Sequence, residues 1–142
     1  MPFVLDTDIL SIMFQESRPA LDRLELQLER HPAEEIWTTI VSFQEQVGGW
    51  LAYLNRTRKD EQILRAYREL MDLQKNFADM QILPFTQPAL SRFKVLRKQL
   101  RTIGTMDLRI ACIALVLNAT LVTRNLKDFR DVPGLMVEDW TQ

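Results

Sequence analysis

Short apolar runs alternate along this chain with longer stretches of helical period. Residues 2–5 form a first strand, brief and apolar. Asp8 to Phe14 begins a helix, and Pro19 to Arg30 carries a second. Leu21, Leu24, Leu26 and Leu28 are its apolar positions, while Asp22, Glu25 and Glu29 face water. Residues 36–41, Ile36-Trp37-Thr38-Thr39-Ile40-Val41, are β-branched and aromatic and predict a strand. Ser42 to Asn55 reads as a helix, followed by a polar break at Arg56-Thr57-Arg58-Lys59-Asp60. Residues 61–80 then carry a helical stripe of Ile63, Leu64, Tyr67, Leu70, Met71 and Phe77. These two helices predict a hairpin on one edge of the domain. Ile82-Leu83-Pro84-Phe85 is a short strand ending at proline. Pro88 to Leu100 is a helix, and Thr105 to Leu117 is another, apolar on most sides and therefore buried. Residues 120–123 and 135–138 complete the strands. Short strands separated by helices predict an α/β fold of three layers, with a central parallel sheet and helices on both faces.

Length narrows this to one domain over residues 1–142, long enough to bury a core without disulfides or a structural metal. No repeat, low-complexity segment or linker interrupts it. The single cysteine, Cys112, lies in an apolar helix and reads as a small core residue. The single histidine, His31, excludes a His-rich zinc site and weakens any Ser-His-Asp scheme. A net charge of −1 does not fit a general nucleic-acid coat protein, although a nuclease needs only a local basic patch. The N-terminus has no basic segment leading into a long apolar one, and no run approaches the length of a membrane span. A cytoplasmic protein with no membrane partner is the expectation.

Chemistry enters with the acids. Asp6 follows Phe3-Val4-Leu5, and Glu45 follows the strand 36–41 by way of Ser42-Phe43-Gln44. Asn125 and Asp128 follow Ala119-Thr120-Leu121-Val122-Thr123. Asp107 lacks a preceding strand and opens the apolar helix through Ile110 and Ala114. Each has a local explanation. Ser42 and Glu45 fit a capping box, Thr105 fits an N-cap with Asp107 in its first turn, Asn125 fits an N-cap with Asp128 three residues on, and Asp6 fits a cap after the first strand. Capping does not explain why all of them fall at the same end of the sheet, where parallel α/β folds build their sites. A crevice of carboxylates without a cysteine or histidine cluster suits Mg²⁺ or Mn²⁺. The two readings are compatible, since a helix N-terminus favours the ionised carboxylate that binds a metal.

The run Phe3-Val4-Leu5-Asp6-Thr7-Asp8-Ile9-Leu10-Ser11 resembles the opening of PIN-domain nucleases, more closely the VapC-type toxins of toxin–antitoxin pairs. Thr39 to Gly49, Ile103 to Ala111, and Leu121 to Phe129 followed by Val132-Pro133-Gly134-Leu135 resemble that family's later motifs, in its order. The resemblance implies a Mg²⁺- or Mn²⁺-dependent endoribonuclease restrained by a cognate antitoxin, and a homodimer. It implies Asp6, Glu45 and Asp107 as the core metal-binding acids. The family often has a fourth acid at or near Asn125; here asparagine stands there, and Asp128 is the nearest carboxylate. Asp8 stands where the family often has asparagine. The implied reaction is direct hydrolysis, with a carboxylate or the activated water itself as base. Thr7 and Thr123 are candidates to hydrogen-bond to the ligands or to phosphate.

Arg92, Lys94, Arg97, Lys98 and Arg101 form a basic run before Gly104. Arg97 and Arg101, four apart, are expected on one helix face as RNA contacts, against the alternative of a solvated charge run. Arg124 is a candidate for phosphate or an antitoxin carboxylate. Trp37 reads as core and Trp140 as core or interface; Trp50 with the Met71, Phe77 and Met80 stripe reads as support for the helical hairpin, a dimer interface or an antitoxin groove. Two other functions compete. A receiver-type signalling domain also has acids after its first strand, but it needs a phosphoacceptor some fifty residues later at a strand end, where this chain is helical. An inactive PIN-like interaction module is the other.

Overall fold

A computed structural model describes all 142 residues. Five strands and seven helices follow one another as β1 (Phe3–Leu5), α1 (Thr7–Gln15), α2 (Ala20–Leu28), β2 (Ile36–Thr39), α3 (Ile40–Arg56), α4 (Asp60–Ala78), β3 (Ile82–Leu83), α5 (Gln87–Gln99), α6 (Thr105–Val116), β4 (Thr120–Val122), α7 (Leu126–Phe129) and β5 (Met136–Glu138). A short 3-10 turn, Ala33–Glu35, leads into β2. All strand pairs are parallel, in the order β3-β2-β1-β4-β5. The α/β architecture read from the apolar pattern is therefore the one observed.

The strands are two to four residues long, and period two decides which face each side chain meets. Phe3 and Leu5 of β1 join a core with α1, α2 and α4 through Ile9, Leu10, Leu21, Leu24, Leu73 and Phe77. Val4 points the other way, into a core with α5 and α6 built on Ala89, Leu96, Leu108 and Ile110. β4 repeats the alternation, with Leu121 on the second face and Val122 on the first. Helix α6 lies against the sheet with Leu108 and the whole run Ile110–Ala114 buried, as its apolar sequence requires. Cys112 is a buried free thiol, pushed up to about 11 by burial, which fits the core reading.

Several boundaries and faces differ from the sequence pattern. β2 ends at Thr39, two residues early, because Thr39 caps α3 and the chain turns helical at Ile40. β3 is only Ile82–Leu83, and Pro84 ends the ladder. Leu26 is exposed; α2 buries only Leu21 and Leu24, three apart. In α4 the buried stripe is Ala66, Leu73 and Phe77, while Leu64, Tyr67 and Met71 face outward. Trp140 is buried, stacked on His31 at 5.1 Å and tilted against Phe3 at 5.0 Å. Trp37 is half-buried against the α5–α6 core. α3 and α4 form the expected hairpin, with Trp50 under Arg65 at 5.5 Å. No helix is long and apolar enough to cross a membrane.

Candidate active site

Parallel register brings the carboxyl ends of β1, β2 and β4 side by side. Leu5 pairs with Val122, and Val4 with Trp37. Asp6 is thus the first residue beyond β1, beside Thr123 beyond β4. Its N–H donates to Val122 O at 2.9 Å, which carries the ladder one step past the strand. Asp6 caps α1, as expected: Oδ1 accepts from Thr7 N–H at 2.8 Å. Oδ2 accepts from the Thr123 hydroxyl, also at 2.8 Å. Thr123 is fully buried and in turn accepts from Asn125 N–H at 3.0 Å.

Glu45 comes from α3, which begins two residues before the expected start of the box. Ser42 is not the cap. Helix α3 begins at Ile40, and Ser42 N–H donates to Thr39 Oγ1 at 3.0 Å. Glu45 therefore does not reach back to its own helix. Its Oε1 accepts from the Thr7 hydroxyl at 2.7 Å, tying α3 to the start of α1. The Ser42 hydroxyl lies 3.0 Å from the same Thr7 oxygen, and Gln46 Nε2 donates to Ser11 Oγ at 2.9 Å. The sequence reading gave Ser42 only a capping role, and gave Thr39, Ser11 and Gln46 no part in the site. Their only signal is spacing: Thr7 and Ser11 on α1, and Ser42 and Gln46 on α3, are each four apart and form facing polar stripes.

Asp107 lies in the first turn of α6, whose N-cap is Gly104 rather than Thr105 and supplies no capping side chain. Asn125 precedes the four-residue α7 without capping it; Nδ2 instead donates to Asp128 Oδ2 at 2.6 Å. Asp8 Oδ2 accepts from Arg124 N–H at 3.1 Å, which locks the loop after β4 onto α1, while Asp8 Oδ1 is buried with no partner.

Charge coupling joins the acids into one crevice. Burial, then the Asp8 charge and more weakly Asp107, push the Asp6 carboxyl up to about 7 against the hydrogen bonds from Thr123 and Thr7. Burial, then Glu45, Asp128 and Asp8, push Asp107 up to about 6. Burial raises Asp8 as well, with the Arg124 amide and guanidinium opposing it. Such crowding of like charges calls for a cation. All donors are oxygens, which suits a hard ion of the Mg²⁺ or Mn²⁺ kind, and the unpartnered Asp8 oxygen adds to that demand. As they stand, no three acid, histidine or cysteine side chains are grouped closely enough to hold an ion.

An open groove of about 410 Å³ runs from Glu45 along α1 and α3, past Gln46, Trp50 and Tyr53 to Arg56. A larger cavity of about 860 Å³ lies elsewhere, lined by Met13, Phe14, His31, Trp37 and Met80, and touches none of the crevice acids. Chemistry and charge, not cavity size, make the crevice the candidate site. His31 is stacked on Trp140 and takes no part in it. Arg101 lies beyond α5, which ends at Gln99, so it shares no helix face with Arg97. The Arg97 guanidinium is engaged with backbone carbonyls, donating to Leu100 O and Ile103 O. A receiver-type site is absent: residues 50–60 are the end of α3, a turn and the first residue of α4.

The chain matches the family model of the PIN domain over residues 3–135. It is 34% identical to Ribonuclease VapC1 of Haemophilus influenzae over the whole of both chains. A 65-residue stretch, 43% of this chain and 48% of the relative, is 38% identical to Ribonuclease VapC2 of Rickettsia felis. Among solved structures, VapBC2 of Rickettsia felis bound to a promoter DNA fragment superposes with a TM-score of 0.74 and 26% identity, covering 99% of each chain. VapBC-1 of nontypeable Haemophilus influenzae superposes with a TM-score of 0.76 and 24% identity over 100% of each chain. The acids that end β1, enter α3 and open α6 thus stand in a fold and a sequence whose full-length relatives are nucleases, and this chain belongs to the PIN-domain family and, within it, to the VapC ribonucleases.

Proposed function

We propose that the 142-residue chain is a single PIN-like domain acting as a divalent-metal-dependent endoribonuclease, the toxin of a toxin–antitoxin pair. The observation that carries the reading is the convergence of Asp6, Asp8, Glu45, Asp107 and Asp128 beyond the carboxyl ends of parallel strands, where Asp6 feels the charge of Asp8 and Asp107, and Asp107 that of Glu45, Asp128 and Asp8. Asp6, Glu45 and Asp107 would hold one Mg²⁺ or Mn²⁺, with Asp128 beside them. When bound, the ion lowers the pKa of a water and neutralises charge developing on the phosphate.

The chain's own residues do the rest. Thr123 orients Asp6, and Thr7 orients Glu45, each through one short hydrogen bond. Asp8 holds the Arg124 amide, which keeps the exposed Arg124 side chain at the rim for a phosphate. Asn125 steadies Asp128. With no histidine in the crevice, a carboxylate is the group available to take a proton. Arg101 and Arg124, both exposed, are the RNA contacts of this reading; Arg97 is withdrawn from that role because its guanidinium serves the backbone.

An antitoxin partner is supported by the solved relatives, which were crystallised as VapBC complexes. The groove from Glu45 to Arg56 and the outward face of α4, at Leu64, Tyr67 and Met71, offer surface for that partner and for a second copy of this chain.

RNA cleavage by the purified protein with Mg²⁺ or Mn²⁺, then with EDTA, beside Asp6→Asn and Asp107→Asn, tests the proposal. Metal-dependent cleavage lost in both variants is expected, with a fall of at least about 100-fold, the upper end of what disturbing a metal's surroundings costs. Cleavage that survives EDTA and both substitutions sinks the mechanism. Binding of RNA without cleavage points to the interaction module instead.

A further inference from the structure

The turn that delivers Asp107 has an unusual support. Helix α6 starts at Gly104, which has no side chain to cap it, so the first turn that carries Asp107 lacks the usual local anchor. Arg97, in the last turn of α5, supplies one from outside. Its Nη1 donates to Leu100 O at 3.0 Å and to Ile103 O at 2.8 Å, and its Nη2 lies 3.3 Å from Thr105 Oγ1. These acceptors stand at the start of the turn, at its end, and on the first residue of α6. A guanidinium spans them because its donors diverge in one plane. The plane is steadied by Phe93, whose ring centroid lies 5.4 Å from Arg97 Cζ and 5.4 Å from Arg109 Cζ, so that α6 contributes to the same stack. Ile103 is buried and pins the turn to the core. The turn also abuts the acid: a Cβ added at Gly104 would lie 3.7 Å from Asp107 Oδ2.

We infer that Arg97 is a positioning residue: by bridging the turn between α5 and α6, it sets the height and rotation of the first turn of α6 and so places the Asp107 carboxylate relative to Asp6 and Glu45. The inference rests on Asp107 being one of the metal-binding acids proposed above. It also separates Arg97 from its basic neighbours, whose charges are free for solvent or RNA. Lysine at this position keeps the charge, but its side chain is one atom shorter and has one nitrogen, so it cannot make the two carbonyl bonds of Nη1 and the Thr105 contact of Nη2 together.

The experiment compares the full chain with Arg97→Lys, with the milder Thr105→Val, and with Asp107→Asn as reference. Three quantities are read: Mn²⁺ affinity from the EPR signal of free Mn²⁺, kcat and KM for RNA at several salt concentrations, and amide exchange of Leu108, whose N–H bonds Gly104 O at 2.9 Å. Arg97→Lys is expected to speed Leu108 exchange, weaken Mn²⁺ binding about 10-fold and lower kcat by a similar factor, as loss of an outer support for a metal ligand does. KM should keep its salt dependence. Thr105→Val should shift the same quantities in the same direction by less. Unchanged Mn²⁺ affinity and kcat in Arg97→Lys overturn the inference. So does a loss confined to KM with a shallower salt dependence, which marks a phosphate contact. If the parent protein binds Mn²⁺ no better than Asp107→Asn, the metal reading itself fails. Leu108 exchange then decides alone whether Arg97 holds the turn, and unchanged exchange in Arg97→Lys overturns that too.

Discussion

Burial and the Asp8 charge oppose ionisation of Asp6, and burial and Glu45 oppose that of Asp107. The consequence is a pH dependence with a definite sign. Both folded-state values, about 7 and about 6, lie above the ordinary 3.8, so the folded protein keeps protons that the unfolded chain has released. Their contribution to stability is intact below about pH 4 and is lost as pH rises through the two folded values. Melting of the protein in EDTA should therefore move to lower temperature between pH 5 and pH 8, with Asp6→Asn showing a shallower fall and Mn²⁺ restoring the loss most strongly at pH 8. An Asp6→Asn curve parallel to the parent's would show that the strain does not sit at Asp6. At this scale the sequence was informative about Asp6, Glu45 and Asp107, because each lies within a few residues of the strand end or helix start that positions it. It offered Thr7 as a hydrogen-bond partner for a ligand but did not say which acid, since the bond to Glu45 spans 38 residues. The basic run misled for the same reason. Composition shows that Arg97 is charged, not that three acceptors of a turn lie within its reach.

Helix α3 shows how one capping residue positions an element. Thr39 is fully buried, takes the Ser42 N–H, and fixes where the helix begins; that start decides which α3 side chains face Thr7. Replacing Thr39 by alanine should cost about 1–2 kcal/mol, the upper range for a lost threonine cap, because a buried N–H loses its acceptor. Thr39→Ser should recover most of it. Urea unfolding of both variants checks this, and an alanine variant as stable as the parent would place the helix start elsewhere. The sequence offered Ser42 as the cap because S-x-x-E is the stronger local signature, yet Thr39 stands at the strand end, where extended backbone already exposes its hydroxyl to the first turn. Strand β2 was read two residues too long on the same grounds: Ile40 and Val41 have strand propensity, and the cap overrode it.

In the whole molecule, Phe77 of α4 joins that helix to α1 and α3. Its ring meets Phe14 of α1 at 5.5 Å and Phe43 of α3 at 5.1 Å, both edge-on. Phe77→Ala should cost about 3–5 kcal/mol, as for a buried aromatic, whereas Tyr67→Ala on the outward face of α4 should change stability by no more than about 0.5 kcal/mol. Equal costs in chemical denaturation would mean that the two faces of α4 are not distinguished as described. By itself the sequence determined the alternation of strands and helices, the parallel α/β class, the burial of α6 and the acids at the strand ends. These follow from periodicity and local backbone preference, which act over a few residues. Only the tertiary structure decided which of two adjacent stripes on α4 is covered, that Leu26 faces water, that Glu45 bonds to α1, and that Arg97 serves the turn before Asp107. Those outcomes depend on which elements pack together, and a one-dimensional pattern carries no distance between residues far apart in the chain.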